Sequence, residues 1–464
     1  MQLEILFDDE QNRFRENIRS GDFNVFIEID TPTTDVDIDK EAEKLAEYEL
    51  IISSFKNLSI NFAINDKIAG LKTHSPVDFI NKLSQQNRDK HIIYLSGRNL
   101  DLGRLFENIH SYELAGFRNF VAVSGNAFYD KNIDTVKQNH FMESVHILNE
   151  IKNNSNSKLT MKGAVINPFK YTTEDLFTQY YKLIKKINYG ADFIVSQFGW
   201  DMKKLHEVVK YLSFRGIHTP LISRQILLKP NFIENLRNDK LDGIHISPDF
   251  RKILENELRF SHIQFEAAQW RRLQISIAGA KLMGFSGIQV AGLTDERLIK
   301  VGCLKIEEAL EEFTSFEEWK EVYLDYTHNT TMAPYPNNYY IFKNILEDIE
   351  PEKEMIFIDS SIKQPSLKEQ INFQFSKKLF STPKLFNKII KNTIIDCQNC
   401  EECCLHLTEY ICPFSCPKGF ANGSCGETQA NGDCEFRNTE CIHSVISRVA
   451  LWQNNIHKLE EELI

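Results

Sequence analysis

The 464-residue chain contains no apolar run approaching the ~18 residues that a membrane-spanning helix needs. Positive charge is not in excess either: 54 Lys and Arg stand against 65 Asp and Glu, for a formal net charge of −11. No basic patch interleaved with aromatics stands out, so no nucleic-acid partner is expected. The opening MQLEILFDDEQNRF lacks the basic-then-apolar order of a signal peptide, and a cytoplasmic protein without a membrane partner is expected. No internal repeat or low-complexity segment is evident. Cysteine is nearly missing from most of the chain, where Cys303 is the sole one before residue 397.

What the chain does have between about residues 20 and 300 is an alternation of short apolar runs and helix-period segments. The strand candidates are Asn24–Ile29, Ser59–Ile64, His91–Leu95, Phe120–Val123, Thr160–Ile166, Asp192–Ser196, Thr219–Ser223 and Gly287–Val290. Between most of them, as in Glu41–Phe55 or Met202–Arg215, apolar residues recur at three- and four-residue spacing. Gly116, Gly190, Gly216 and Gly284 fall where helices would end just before the next strand. Eight βα units in about 280 residues point to a parallel (β/α)8 TIM barrel over 1–305, with a doubly wound open sheet as the structural alternative. Residues 306–390 are less regular and read as a connector packed on the barrel, with a Lys-rich helix candidate at Lys384–Lys391. Residues 391–464 form a small separate domain that ends in an amphipathic helix over Val445–Ile464.

Nine of the ten cysteines lie in that last domain. Setting Cys404 aside leaves Cys397, Cys400, Cys403, Cys412, Cys416, Cys425, Cys434 and Cys441 as candidate metal ligands. Clustered cysteines in a reducing compartment read as ligands more readily than as disulfides. A tetrahedral zinc or a cubane (4Fe–4S) iron–sulfur cluster each takes four thiolates, so eight suggest two centres. The C-x2-C-x2-C run and the prolines that follow Cys412 and Cys416 lean toward iron–sulfur, and zinc stays open. So few large apolar residues accompany them that the segment needs a metal to fold.

In a barrel of this kind the chemistry sits where strands end. Glu28 closes the first strand, in FIEIDTP, between Ile27 and Ile29. Apolar neighbours would raise its pKa and suit it to act as a general acid near neutral pH.

FIEIDTP is similar to the opening strand of methylenetetrahydrofolate reductases. ELAGFRNFVAVSGN, GAVINPF and INYGADFIVSQFGWD resemble further segments of that family, and CPKGFANGSCGE with its surrounding cysteines resembles the C-terminal metal-binding domain found beside or fused to such reductases. The resemblance implies flavin-dependent reduction of 5,10-methylenetetrahydrofolate to 5-methyltetrahydrofolate, or the reverse. It implies Glu28 as the catalytic acid and Gln197 as the amide that reads the pterin. Thr73, His74, Tyr94, Ser96, Ser124, Gly125 and Asn126 match positions around the flavin (FAD or FMN), Asn126 also facing the folate. Lys185 and Lys186 match basic positions near the flavin phosphates.

Two departures stand out. The family's Arg-Gly-Asp turn is Ser124-Gly125-Asn126 here, and its His-Leu-Thr element is Tyr94-Leu95-Ser96. The turn loses a cation and a carboxylate beside the cofactor, which should raise the flavin potential or alter flavin binding. No separate dinucleotide fingerprint is present, so ferredoxin or an electron-transfer subunit acting through iron–sulfur centres is the expected donor, and an oligomer is possible. The competing reading is a non-redox folate-binding protein or a methyltransferase that passes a methyl group between a folate and a corrinoid or another acceptor.

Overall fold

The structure is a computed structural model that describes residues 11–67, 71–125, 139–155, 157–237, 243–327, 340–342, 344–347, 363–380, 403–436 and 439–464. Eight parallel strands close a barrel in chain order: β1 (Asn24–Asp30), β2 (Ser59–Asn65), β3 (Ile92–Ser96), β4 (Asn119–Val123), β5 (Met161–Ile166), β6 (Phe193–Ser196), β7 (Leu221–Ile226) and β8 (Gly287–Ala291). Each falls on a strand predicted from the sequence, and helices lie between them, so the fold is a (β/α)8 TIM barrel rather than an open sheet.

The strand period of two sorts side chains into an inner and an outer set. The inner set is a compact apolar plug of Phe26, Ala63, Ile92, Tyr94, Val121, Met161, Phe193, Val195 and Ile222. The N-terminal helix Arg13–Ser20 closes the barrel floor by inserting Phe14, whose ring meets Phe26 and Phe193 edge-on at 5.3 and 5.2 Å. The outer set packs under the helix ring in a much larger core that includes Val25, Ile27, Phe62, Ile93, Phe120 and Ile194. Gly190 and Gly216 end their helices with φ of +112° and +65°, where a β-carbon would be strained.

The predicted division at residue 305 falls inside the helix Glu296–Glu312, which is continuous with the barrel's outer layer. The next helix, Phe316–Tyr326, seals that layer through Trp319, whose indole N–H donates to the Ile275 carbonyl at 2.7 Å. A β-carbon on Gly279 would come within 2.3 Å of the Trp319 ring, so only glycine admits this approach. The Lys384–Lys391 helix candidate lies outside the described residues.

The cysteine-rich segment carries a helix, Ile442–Trp452, and a 3-10 turn, Ile456–Glu460, in place of one continuous final helix. Both pack on the barrel helix Thr173–Asn188. Among the described residues no helix is long and apolar enough to cross a membrane.

Candidate functional site

The apolar plug explains how the site is built. Two residues beyond a plug residue, toward the C-terminal end, the next inward side chain reaches the barrel mouth. Phe26 leads to Glu28, Val195 to Gln197, and Ile222 to Arg224. Gln289, on β8, stands beside Arg224 in the sheet register.

Glu28 and Arg224 form a two-toothed ion pair: Nε donates to Oε2 at 2.6 Å and Nη2 to Oε1 at 2.5 Å. Gln289 Nε2 adds a bond to Oε2 at 2.7 Å, and Asn65 Nδ2 one to Oε1 at 3.1 Å. The remaining arm of Arg224, Nη1, donates to Gln197 Oε1 at 2.5 Å, which also accepts from the Phe198 backbone N–H at 3.0 Å. The guanidinium carbon sits 4.8 Å from the centre of the Phe198 ring. Behind this group, Tyr94 donates its hydroxyl to Gln289 Oε1 at 2.7 Å and so fixes which end of that amide faces Glu28.

The electrostatics follow from this geometry. Burial pushes the Glu28 carboxyl up, but the Arg224 charge and the hydrogen bonds from Arg224, Gln289 and Asn65 outweigh it, leaving its pKa below the ordinary value. The predicted raised pKa is thus corrected: Ile27 and Ile29 face outward, and the carboxylate's actual neighbours are donors. Asp30, held by Asn65 at 2.8 Å, ends the strand at the exposed rim of the mouth, where the nearby Glu28 charge raises its carboxyl. Arg224 was not singled out from the sequence. Its signal was the polar triplet Ser223-Arg224-Gln225 within a strand whose neighbouring strands are almost wholly apolar.

The positions matched to flavin contacts divide into two places. Thr73, His74, Ser124 and Gly125 are half-buried at the β2 and β4 ends of the mouth. Thr73 Oγ1 donates to the Asp66 carbonyl at 3.1 Å, His74 Nε2 lies 2.9 Å from the Val36 carbonyl, and Ser124 Oγ accepts from the Ser144 N–H at 3.0 Å. Ser96 is buried, and its N–H donates to Asp66 Oδ2 at 2.8 Å. Asn126 lies outside the described residues.

Lys185 and Lys186 are elsewhere, buried on the helix Thr173–Asn188, Lys185 against the cysteine-rich segment and Lys186 against β5. Lys185 Nζ donates to Asn422 Oδ1 at 3.1 Å and Lys186 Nζ to the Val165 carbonyl at 2.5 Å. Burial lowers them to about 8 and about 7 respectively, with Glu143 opposing and Lys182 adding to the shift. Both ammonium groups are engaged within the protein rather than open at the barrel mouth, and no step below is routed through a flavin.

The cysteine-rich segment is joined to the barrel around Cys425. On one side of it Ser424 Oγ accepts from Gln179 at 2.6 Å; on the other the Gly426 carbonyl accepts from Asn167 and Lys170, both at 2.7 Å. Cys397 and Cys400 lie outside the described residues. Burial first pushes up the pKa of Cys416, Cys425 and Cys441; next come the carboxylates of Glu427 and Glu435 at Cys425 and of Asp175 at Cys441, with smaller pushes from Cys434 at Cys416, from Cys416 at Cys425 and from both at Cys441. Buried thiols are what a soft cation relieves by deprotonating them. Among the described residues, however, no group of metal-competent side chains brings more than one of these cysteines together, so the described part of the segment does not by itself assemble a four-thiolate site. Cys425 Sγ also lies with carboxylate oxygens of Glu427 and Glu435 in a group spanning 4.8 Å. Lys418 pairs with both carboxylates and offsets one of their two charges within the protein. Cys403 is half-buried and Cys412 buried at the start of a short 3-10 turn.

Residues 13–276, more than half of the sequence, match the family described as methylenetetrahydrofolate reductase. The chain belongs to the methylenetetrahydrofolate reductase family. Residues 379–463 match the family described as methylene-tetrahydrofolate reductase C terminal, so the reductase barrel and the C-terminal domain are fused in one polypeptide. No curated protein matches. A solved structure is similar to this chain: an uncharacterized protein from Clostridium thermocellum that binds two copies of 5-methyl-5,6,7,8-tetrahydrofolic acid. The likeness covers 64% of this chain and 97% of that one, with 13% identity and a TM-score of 0.45.

Proposed function

We propose that the barrel mouth binds a reduced folate and interconverts its 5,10-methylene and 5-methyl forms, the reaction that gives the family its name. The observation that carries this reading is the convergence of Glu28 and Gln197 on one guanidinium at the C-terminal ends of β1, β6 and β7. Gln197 would hold the pterin through its amide and position the one-carbon unit. Glu28 would move the proton that opens the imidazolidine ring to the reactive iminium.

The reducing equivalents implied by the resemblance belong to the same proposal: a ferredoxin-type donor or partner subunit would supply them, and the cysteines would be the residues to hold a metal that relays single electrons. Flavin is its separable part, since a flavin here would have to be held by Thr73, His74, Ser124 and Gly125 without the two lysines. The burial of those lysines favours the second reading, a folate-binding protein that passes a methyl group without redox chemistry. In the domain proposal a TIM barrel is followed by a connector and a metal-binding domain, with the first boundary past Glu312.

Anaerobically purified full-length protein tests both readings. Incubation with 5,10-methylenetetrahydrofolate and reduced methyl viologen should yield 5-methyltetrahydrofolate, with flavin, iron and zinc counted in the same sample. Folate binding without reduction, in a sample free of flavin, would transfer the assignment to the methyl-passing reading.

A further inference from the structure

Glu28 leaves no room for a proton in the observed arrangement. Its two oxygens accept four N–H bonds, two from Arg224 and one each from Gln289 and Asn65. A carboxylate offers about four lone-pair sites. A protonated Glu28 would set its own O–H against one of these donors. The same guanidinium is bonded to Gln197 Oε1, the acceptor half of the amide that a pterin edge would engage. A pterin presents N–H groups beside its carbonyl, so it competes with Arg224 Nη1 for that oxygen.

We infer that Arg224 is the positioning residue of this site, a clamp joining Glu28 to Gln197 that an incoming pterin must displace. The inference rests on the reading of the mouth as a folate site. The guanidinium is planar and rigid, so prying Nη1 from Gln197 tilts Nε and Nη2 away from Glu28 as well. Docking the pterin thereby loosens the fork, raises the proton affinity of Glu28 and makes it competent to handle a proton. Proton handling is then coupled to substrate occupancy. The charged and titratable groups facing Glu28 are Arg224 from β7, Asp30 from its own strand and Tyr94 from β3; burial raises the Tyr94 hydroxyl well above its usual value. Arg224 alone among these opposes protonation of Glu28. The Phe198 ring beneath the guanidinium gives it a surface on which to slide.

The test is the titration of the Glu28 carboxyl, read by infrared difference spectroscopy against Glu28→Gln in full-length protein. In the wild type it should be ionised down to below pH 4.5, and saturating 5-methyltetrahydrofolate should move its midpoint up by about one pH unit or more. Arg224→Gln should show the raised midpoint without any folate, and Arg224→Lys should restore much of the low one. A midpoint unmoved by bound folate, or one unmoved by Arg224→Gln, would overturn the inference. Should Arg224→Gln fail to fold, the wild-type comparison with and without folate decides alone. Should 5-methyltetrahydrofolate fail to bind at all, the folate reading falls, and a low midpoint that rises in Arg224→Gln still shows the clamp.

Discussion

Two buried carboxylates, Glu28 at the barrel mouth and Glu143 at the junction with the cysteine-rich segment, are each held by a cation and several hydrogen bonds, yet they serve opposite ends. Glu143 accepts from the Ala421 and Asn422 backbone N–H groups at 2.7 and 3.1 Å and from Lys182 Nζ at 2.9 Å, while Lys182 also donates to the Gly423 carbonyl at 2.9 Å. Burial raises its carboxyl, but Lys182 and the Ala421 N–H more than reverse that and bring it to about 2. Two of its donors belong to main chain, so they cannot leave without undocking the segment. The donors to Glu28 are all side chains and can rotate away. A carboxylate held by backbone is a fixed joint; one held by side chains can take part in chemistry.

The largest effect that would sharpen this contrast is on turnover. Glu28→Gln should lower the rate of folate interconversion by about two orders of magnitude or more while leaving folate affinity nearly intact. Equal rates in mutant and wild type would remove Glu28 from the proton path.

Next comes stability at the junction. Lys182→Met leaves Glu143 charged and buried, and should cost about 3–5 kcal/mol in denaturant unfolding. Limited proteolysis should then release the C-terminal segment first. An unchanged unfolding midpoint would show that the two regions are not joined through this pair.

Acid acts on the same joint. Glu143 stabilises fully above its unfolded value near 4.5, and that contribution is lost as pH falls through the interval down to about 2. His245, against the Thr428 carbonyl, is lowered by burial and by Lys170 to about 4. Its unfolded form takes up a proton below about 6.5 while the folded form resists, so stability already declines from there toward pH 4. Thermal melts between pH 7 and 3 should show the C-terminal segment releasing ahead of the barrel; simultaneous loss would break the distinction.

The smallest effect is at Gln197. Truncation to Ala should weaken folate binding by about tenfold, the scale of one or two hydrogen bonds, as measured by calorimetry. An unchanged dissociation constant would take Gln197 out of the pterin site.

Much of the fold was legible because strands of a closed parallel barrel are buried on both faces and stand out as apolar runs. Glu28 was legible as a strand-end carboxylate, and Gln197 through the family resemblance. Arg224 was not, since a lone arginine in ISRQI reads as an outward, solvated strand residue until barrel closure turns it inward. The polar face of the helix Thr173–Asn188 misled in the reverse direction. Glu174, Asp175, Lys182 and Lys185 look like a solvated stripe, but all are buried because the cysteine-rich segment lies on them. Which side chains a second region will cover is a property of docking, and no local periodicity encodes it.

The central claim is that the side-chain-held carboxylate at the mouth drives folate chemistry. Its most direct test is an anaerobic assay of 5-methyltetrahydrofolate formation from 5,10-methylenetetrahydrofolate by full-length wild type and Glu28→Gln side by side. The expected result is product from the wild type and a rate lower by about a hundredfold or more from the variant. Folate bound by both proteins, with product from neither, would contradict it.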